Sequence, residues 1–226
     1  MLVSEIYTRI AMTLQDLTKD RWTWEWSDGD TDLSLQPLMN QAIQAVVYQR
    51  PDAMSTTETV SLDAGAKQTV PTGSYQLIEA IRNMGTDGST PGKTITPVDR
   101  RVLDQWNRTW MNKSAISEID HWAYDRLYNR KIFWVYPPAP SGLHIELTHA
   151  PEPTLITSST DEFPLPDIYA DPIYHHVLFQ IFAGDNSDAN FERGMNHWKV
   201  FTQKMNMKTQ TDMAMSQGSQ PSKESD

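Results

Sequence analysis

Few residues in this chain stand at spacings that chemistry requires. Gly88-Ser89-Thr90-Pro91-Gly92-Lys93-Thr94 has the glycines, lysine and hydroxyl of a loop that cradles phosphate with backbone amides. It is one residue short of that pattern, and Pro97 stands where the following helix must run, so it reads as a glycine-rich turn. Asp28, Asp30 and Asp32 alternate like the start of a calcium loop, but Leu33 occupies the position that needs glycine and Met39 the one that needs a bidentate glutamate. His175 and His176 are adjacent, so on a helix their side chains diverge by about 100° and cannot chelate one metal as an i, i+4 pair does. They are expected to be two partly exposed helix residues. No Gly-x-Ser-x-Gly elbow and no His-Glu-x-x-His pair is present. The chain has no cysteine, which removes thiol nucleophiles, disulfide frameworks and cysteine-based zinc sites together. The sequence therefore predicts no enzyme, no cofactor and no catalytic, cofactor-binding or metal residue.

Charge narrows the partners. With 19 Lys+Arg against 29 Asp+Glu the net charge is −10, and such a surface repels a phosphate backbone unless its few cations cluster. General nucleic-acid binding is not expected on that ground. No apolar run reaches the roughly 18 residues of a membrane span, and Met1-Leu2-Val3-Ser4-Glu5 lacks a signal peptide's basic flank and apolar core. The expectation is a soluble protein made in the cytosol. At 226 residues the chain is long enough to bury a core without staples, as one domain or one domain with a large insertion.

The elements that position these residues follow from hydrophobic period. Val3, Ile6, Ile10, Leu14 and Leu17 step by three and four, which predicts an amphipathic helix from Val3 to Leu17. A second helix is expected over Leu35–Gln49, capped by Ser34, with Leu35, Leu38, Met39, Ala42, Ile43, Val46 and Val47 as its buried stripe. The period then switches to two, predicting strands over Thr57–Leu62, Gln76–Asn83, Ile116–Tyr124, Lys131–Tyr136 and Leu143–Thr148, with a short helix at Asp99–Trp106. Helical spacing returns at Ile168, Ile173, Val177, Leu178 and Ile181, breaks at Gly184-Asp185-Asn186, and resumes from Asp188 to about Met207. From Lys208 onward no aromatic or branched aliphatic residue remains, so residues 208–226 are expected to be a disordered tail.

The fold class this order predicts is α+β: an antiparallel helix bundle of about four helices with an inserted small antiparallel β domain and a flexible C-terminal tail. Its boundaries fall at 1–52 with 160–207 for the bundle, 53–159 for the insertion and 208–226 for the tail. Two further features bear on contacts. Trp22, Trp24 and Trp26 project to one side of an extended segment and serve either as interface anchors or as core. The strands around Ile116 to Tyr136 form a hairpin whose tip, Asp125 to Arg130 and including Arg126, is a candidate contact with a neighbouring subunit or a simple surface turn.

Ala80-Ile81-Arg82-Asn83-Met84-Gly85-Thr86-Asp87-Gly88, Val98 to Asp104, Phe133-Trp134-Val135-Tyr136-Pro137-Pro138-Ala139-Pro140, Pro164 to Ala170 and Phe182-Ala183-Gly184-Asp185 together resemble a family of tailed-phage adaptor, or head-to-tail connector, proteins. The resemblance spans roughly residues 2 to 205. It implies a virion structural protein of the neck, made in the bacterial host cytoplasm, that docks as a ring beneath the portal protein. Twelve copies would match the portal, and the ring would carry the tail nozzle or the next neck protein while DNA passes through its channel. It also implies a portal contact near the C-terminus, placed here at Met205, Met207, Lys208, Met213 and Met215, with Trp22, Trp24, Trp26, Asp125, Arg126 and Arg130 as candidates for the nozzle or neighbouring subunit. The competing expectation is a cytosolic module whose β insertion binds a ligand and which has no virion role.

Overall fold

A computed structural model describes residues 1–16, 18, 22–24, 33–127, 129–184 and 188–215. In chain order the elements are α1 (Val3–Leu14), β1 (Trp22–Thr23), β2 (Leu33–Ser34), α2 (Leu35–Gln49), β3 (Thr56–Ser61), β4 (Gly65–Thr69), β5 (Ser74–Asn83), β6 (Thr96–Pro97), α3 (Arg100–Trp106), β7 (His121–Tyr124), β8 (Ile132–Ala139), β9 (His144–Pro151), α4 (Ala170–Ala183) and α5 (Asp188–Met215). The mixed α+β class is as expected. The chain divides into two compact units, Met1–Gln49 with Thr154–Asp226, and Arg50–Pro153.

The first unit is built on α4, against which α1, α2 and α5 all pack. Val3, Ile6 and Ile10 of α1 are buried as their spacing requires. The helix stops at Leu14 because Gln15 turns left-handed (φ 57°) and the Gln15 and Asp16 amides close back onto the Met12 and Ala11 carbonyls. Leu17, the expected last residue, lies outside the described residues. Helix α2 runs over the expected span with its stripe buried, except Leu38, which is half-buried. Ser34 does not act through its hydroxyl as the expected cap; that group donates to the Trp24 carbonyl at 2.9 Å. The α2 side chain of Asn40 grips the return segment, accepting from the Ile156 amide at 2.8 Å and donating to its carbonyl at 3.0 Å.

Helix α5 corrects the expected tail, because residues 208–215 continue the helix. Nothing in that stretch breaks it, and local bonds hold it. Lys208 bonds Asp212 at 2.6 Å one turn on, and the Thr209 and Thr211 hydroxyls donate to the carbonyls of Met205 and Met207. Tertiary burial contributes little to this stretch, so hydrophobic pattern gives no sign of it. Residues 216–226 of the expected tail lie outside the described residues.

In the second unit β3-β9-β5 form an antiparallel three-stranded sheet, and β4-β8-β7-β6 a four-stranded sheet that is antiparallel apart from the β6–β7 pair. Leu77 and Ala80 of β5 and Ile145 and Leu147 of β9 meet Trp122 of β7 and Phe133 and Val135 of β8 in one buried cluster between the sheets. The alternate residues Trp134 and Tyr136 face the other way, where Leu103 of α3 and Trp110 cover them. Strand β7 is shorter than the expected Ile116–Tyr124, since Ile116 and Asp120 are tied only by single bonds to the Pro138 and Tyr136 carbonyls. Strand β4 was invisible in the sequence because its second buried side chain, Gln68, is polar and folds back onto Asp63 and Gly65.

Asn83 joins the two layers. Its buried amide donates to the Lys93 and Ile119 carbonyls and accepts from the Ile119 amide, all at 2.8–2.9 Å. Replacing it by alanine leaves buried backbone groups unpaired, so Asn83→Ala is expected to cost about 3 kcal/mol in urea unfolding. A loss under about 1 kcal/mol would show that these bonds contribute little to holding the sheets together.

Candidate functional site

The described residues contain one nucleophile–base–acid sequence. Ser74 Oγ lies 2.7 Å from His149 Nδ1, and His149 Nε2 lies 3.0 Å from Glu58 Oε1, off the line of a hydrogen bond. Its exposure decides the role: Ser74 is 0% and His149 5% accessible, so no substrate atom reaches the hydroxyl. Ser74 and His149 pair with each other at the crossing of β3, β9 and β5, and Glu58 lies beside the imidazole's other nitrogen. The sequence offered no sign of the trio, because its members stand on three strands brought together only by the sheet.

The glycine-rich loop supplies its own anion. Asp87 accepts from the amides and hydroxyls of both Ser89 and Thr90, with the Thr90 hydroxyl bond the strongest influence, and these bonds hold its carboxyl far below the usual range. Gly85 and Gly88 turn with positive φ to let the chain fold around that carboxylate. Lys93 is drawn away to Asp120 at 2.7 Å. A phosphate would compete with the loop's own side chain for the same donors. The Asp28, Asp30 and Asp32 turn lies outside the described residues. Among the described residues no group of three or more His, Cys, Asp or Glu side chains is placed to hold a metal.

The histidines form a polar seam between α4 and α5. His175 Nδ1 meets His197 Nδ1 at 2.8 Å, and His175 Nε2 points toward Asp171 at 3.9 Å. Asp171 also receives Lys204 and, at 2.6 Å, Arg9. Burial of Asp171 is overridden by those two cations, which leave its carboxyl below the ordinary value. His176 is not partly exposed as expected. It is 8% accessible, with Phe201 edge-on at 4.9 Å and Phe179 and Trp198 also around it. Burial lowers the proton affinity of all three imidazoles, alone for His197, against the Gln180 side chain for His176 and against the Asp171 charge for His175.

The contact candidates divide by exposure. Trp22 and Trp24 are each 8% accessible, with Trp24 packed 5.7 Å from Tyr7 and the Tyr7 hydroxyl bonded to the Trp22 carbonyl. They belong to the first unit's core, while Trp26 lies outside the described residues. Met205 is 2% accessible and is likewise core. Met207 and Met213 are exposed on α5, Lys208 is engaged by Asp212, and the Met215 side chain lies outside the described residues.

At the β7–β8 turn, Asp125 accepts from the Leu127 amide, and the Arg130 guanidinium lies 4.7 Å over the Tyr75 ring and bonds its hydroxyl. Asp125 and Arg130 thus shape the turn, where Arg126, Leu127, Asn129 and Arg130 are exposed. In the second unit an open cleft of about 550 Å³ is lined by Asp99, Arg100, Arg101, Trp122, Tyr124 and Trp134. No helix among the described residues is long and apolar enough to cross a membrane.

The chain belongs to the SU10 adaptor protein family, whose family model matches residues 1–221. The resemblance to phage adaptors carried by Ala80–Gly88, Phe133–Pro140 and the other segments is thereby shown. No curated protein matches the chain.

The histidine seam makes stability depend on pH with a defined sign. The unfolded chain takes up protons at the ordinary histidine value of about 6.5, whereas the folded chain resists them to lower pH. Stability from these groups is complete above that value and is lost as pH falls through the folded values. The urea midpoint is therefore expected to fall between about pH 7.5 and pH 5, before carboxylates with depressed values titrate, and to fall less in His176→Gln. An unchanged midpoint over that range would show that folding does not hinder protonation of these imidazoles.

Proposed function

We propose that this phage adaptor assembles as a ring, of twelve copies to match the portal, between the portal protein and the tail nozzle or next neck protein, with DNA passing through its channel. The observation that carries the reading is the family match over residues 1–221. The net charge of −10 supports it, since a ring that is negative overall repels the phosphate backbone passing through it. The proposed portal contact is the outer part of α5, where Met207 at 66% and Met213 at 65% accessibility offer adaptable apolar side chains. The proposed nozzle or neighbour contact is the β7–β8 tip at Arg126 and Leu127. Met205, Trp22 and Trp24 act in this reading from inside, as the core that fixes those surfaces.

Electron microscopy of virions carrying a tag on this chain tests the assembly directly: density for the tag in a ring under the portal is expected, and virions lacking it there would return the chain to the ligand-module reading. A binding assay tests the residues. Met207→Asp with Met213→Asp is expected to leave the unfolding midpoint unchanged and to weaken capture on portal-bearing capsids by roughly tenfold or more, as for lost interface anchors. Undiminished capture would remove α5 from the contact.

A further inference from the structure

The three-stranded sheet ends in a strand whose outer edge no other strand pairs with among the described residues. The direction of each backbone group on β3 follows from the ladder. Leu62 N–H bonds the Leu143 carbonyl, and β3 pairs with β9 without a register shift from Thr56 opposite His149 to Ser61 opposite His144. Bonding residues alternate along an antiparallel pair, so Val60, Glu58 and Thr56 bond toward β9. The N–H and C=O groups of Thr57, Thr59 and Ser61 then point to the open edge. Strand β9 shows the same alternation from its other side, where His144 exchanges bonds with the Met84 amide and Gly85 carbonyl next to β5. Thr57, Thr59 and Ser61 are exposed, and among the described residues no partner reaches their backbone groups from outside.

Proteins ordinarily blunt such an edge with proline, lysine, a bulge or a covering loop. Thr56–Ser61 contains no proline and no cation, has no bulge against β9, and holds its single charge, Glu58, beside His149. Its residues are β-branched or hydroxyl-bearing apart from that glutamate, the composition that favours strand pairing.

We infer that β3 pairs with β3 of a second copy of this chain, antiparallel and centred on Thr59. The sequence is complementary to itself in that register. Thr59 faces Thr59, Thr57 faces Ser61, and Glu58 faces Val60, so the two carboxylates never oppose each other. Hydroxyl pairing across strands already occurs in this sheet, where Thr57 Oγ1 and Thr148 Oγ1 meet at 2.8 Å. Each of the three edge residues exchanges both of its backbone bonds with the partner copy, and the two three-stranded sheets become one continuous sheet. The half-exposed Val60, which packs on the core between the sheets, gains cover from the stem of the opposing Glu58. A contact of this symmetry closes on two copies and cannot propagate around a ring, so it goes beyond the portal reading and belongs to the free chain. One strand pair buries less than the roughly 1,200 Å² of a standard interface, so the dimer is weak, with a dissociation constant on the order of tens of micromolar.

The test is sedimentation of the purified full chain, without portal, from about 5 to 500 µM, a range that brackets that affinity. The mass is expected to rise from 25.8 kDa toward twice that value. Thr59→Pro removes an amide that points away from β9, so it is expected to fold with an unchanged unfolding midpoint and to stay monomeric throughout. Thr59→Lys, which keeps the amide and places a charge on the edge, provides the readout should the proline variant unfold, and is expected to weaken association at least tenfold. Hydrogen exchange adds a residue-level signature. In dilute protein Glu58 and Val60 amides are slow and Thr57, Thr59 and Ser61 fast, and only the latter three slow with concentration. A wild-type chain monomeric at every concentration, or self-association that both variants retain, would overturn the inference.

Discussion

A helix with no exposed residue is stable only when its neighbours are in place, and α4 is such a helix. Eight of its fourteen residues are buried and none is exposed. Its partners come from both ends of the chain: α1 and α2 precede the β unit and α5 follows it. At Gly194 the backbone of α5 comes so near that an added Cβ would sit 3.1 Å from the Ala183 nitrogen. The first unit thus exists only as a closure of distant segments, and the intervening strands must leave and return at points that permit it. Asn40 fixes the return by holding both backbone groups of Ile156.

The β unit solves a smaller version of the same problem. Strand β9 bonds β3 on one side and β5 on the other, while its alternate side chains Ile145 and Leu147 fill the core between the sheets. That geometry satisfies one edge of each outer strand and leaves the other to be dealt with separately. Strand β5 is partly covered, since the Asn83 amide donates to the Lys93 carbonyl and the Ile81 carbonyl accepts from Ile95. Strand β3 has no such cover among the described residues, so its outward backbone groups are the distinguishing feature of that side.

Where hydrophobic period was strong, the sequence was sufficient. Ile6 and Ile10 marked the core face of α1, the Leu35 to Val47 stripe marked α2 to its last residue, and Leu143, Ile145 and Leu147 marked the inner face of β9. Boundaries set by single bonds were not legible: the left-handed Gln15 ends α1 early, and nothing in its side chain announces that conformation. Polar burial was equally silent. Gln68 hid β4, and His176 read as a surface residue although three aromatic rings enclose it. The Ser74–His149–Glu58 trio required register across strands, information that no linear spacing contains. The contact residues were half legible, since composition flagged the methionines and tryptophans but could not say that Met205, Trp22 and Trp24 face inward.

The continuation of α5 alters what kind of contact its methionines can make. A disordered tail can present every side chain to one partner surface, at the cost of ordering each residue on binding. A helix held by its own i, i+4 bonds from Lys208 to Asp212 has already met that cost, but it fixes direction. Met207 and Met213 are six residues apart, so on an α-helix they point about 120° from one another, to either side of the exposed Gln210. Contact with both therefore suits a single partner whose surface is concave around that side of the helix. A rigid helix with apolar residues flanking one side presents them at a set angle, so a groove of matching shape meets both without further ordering.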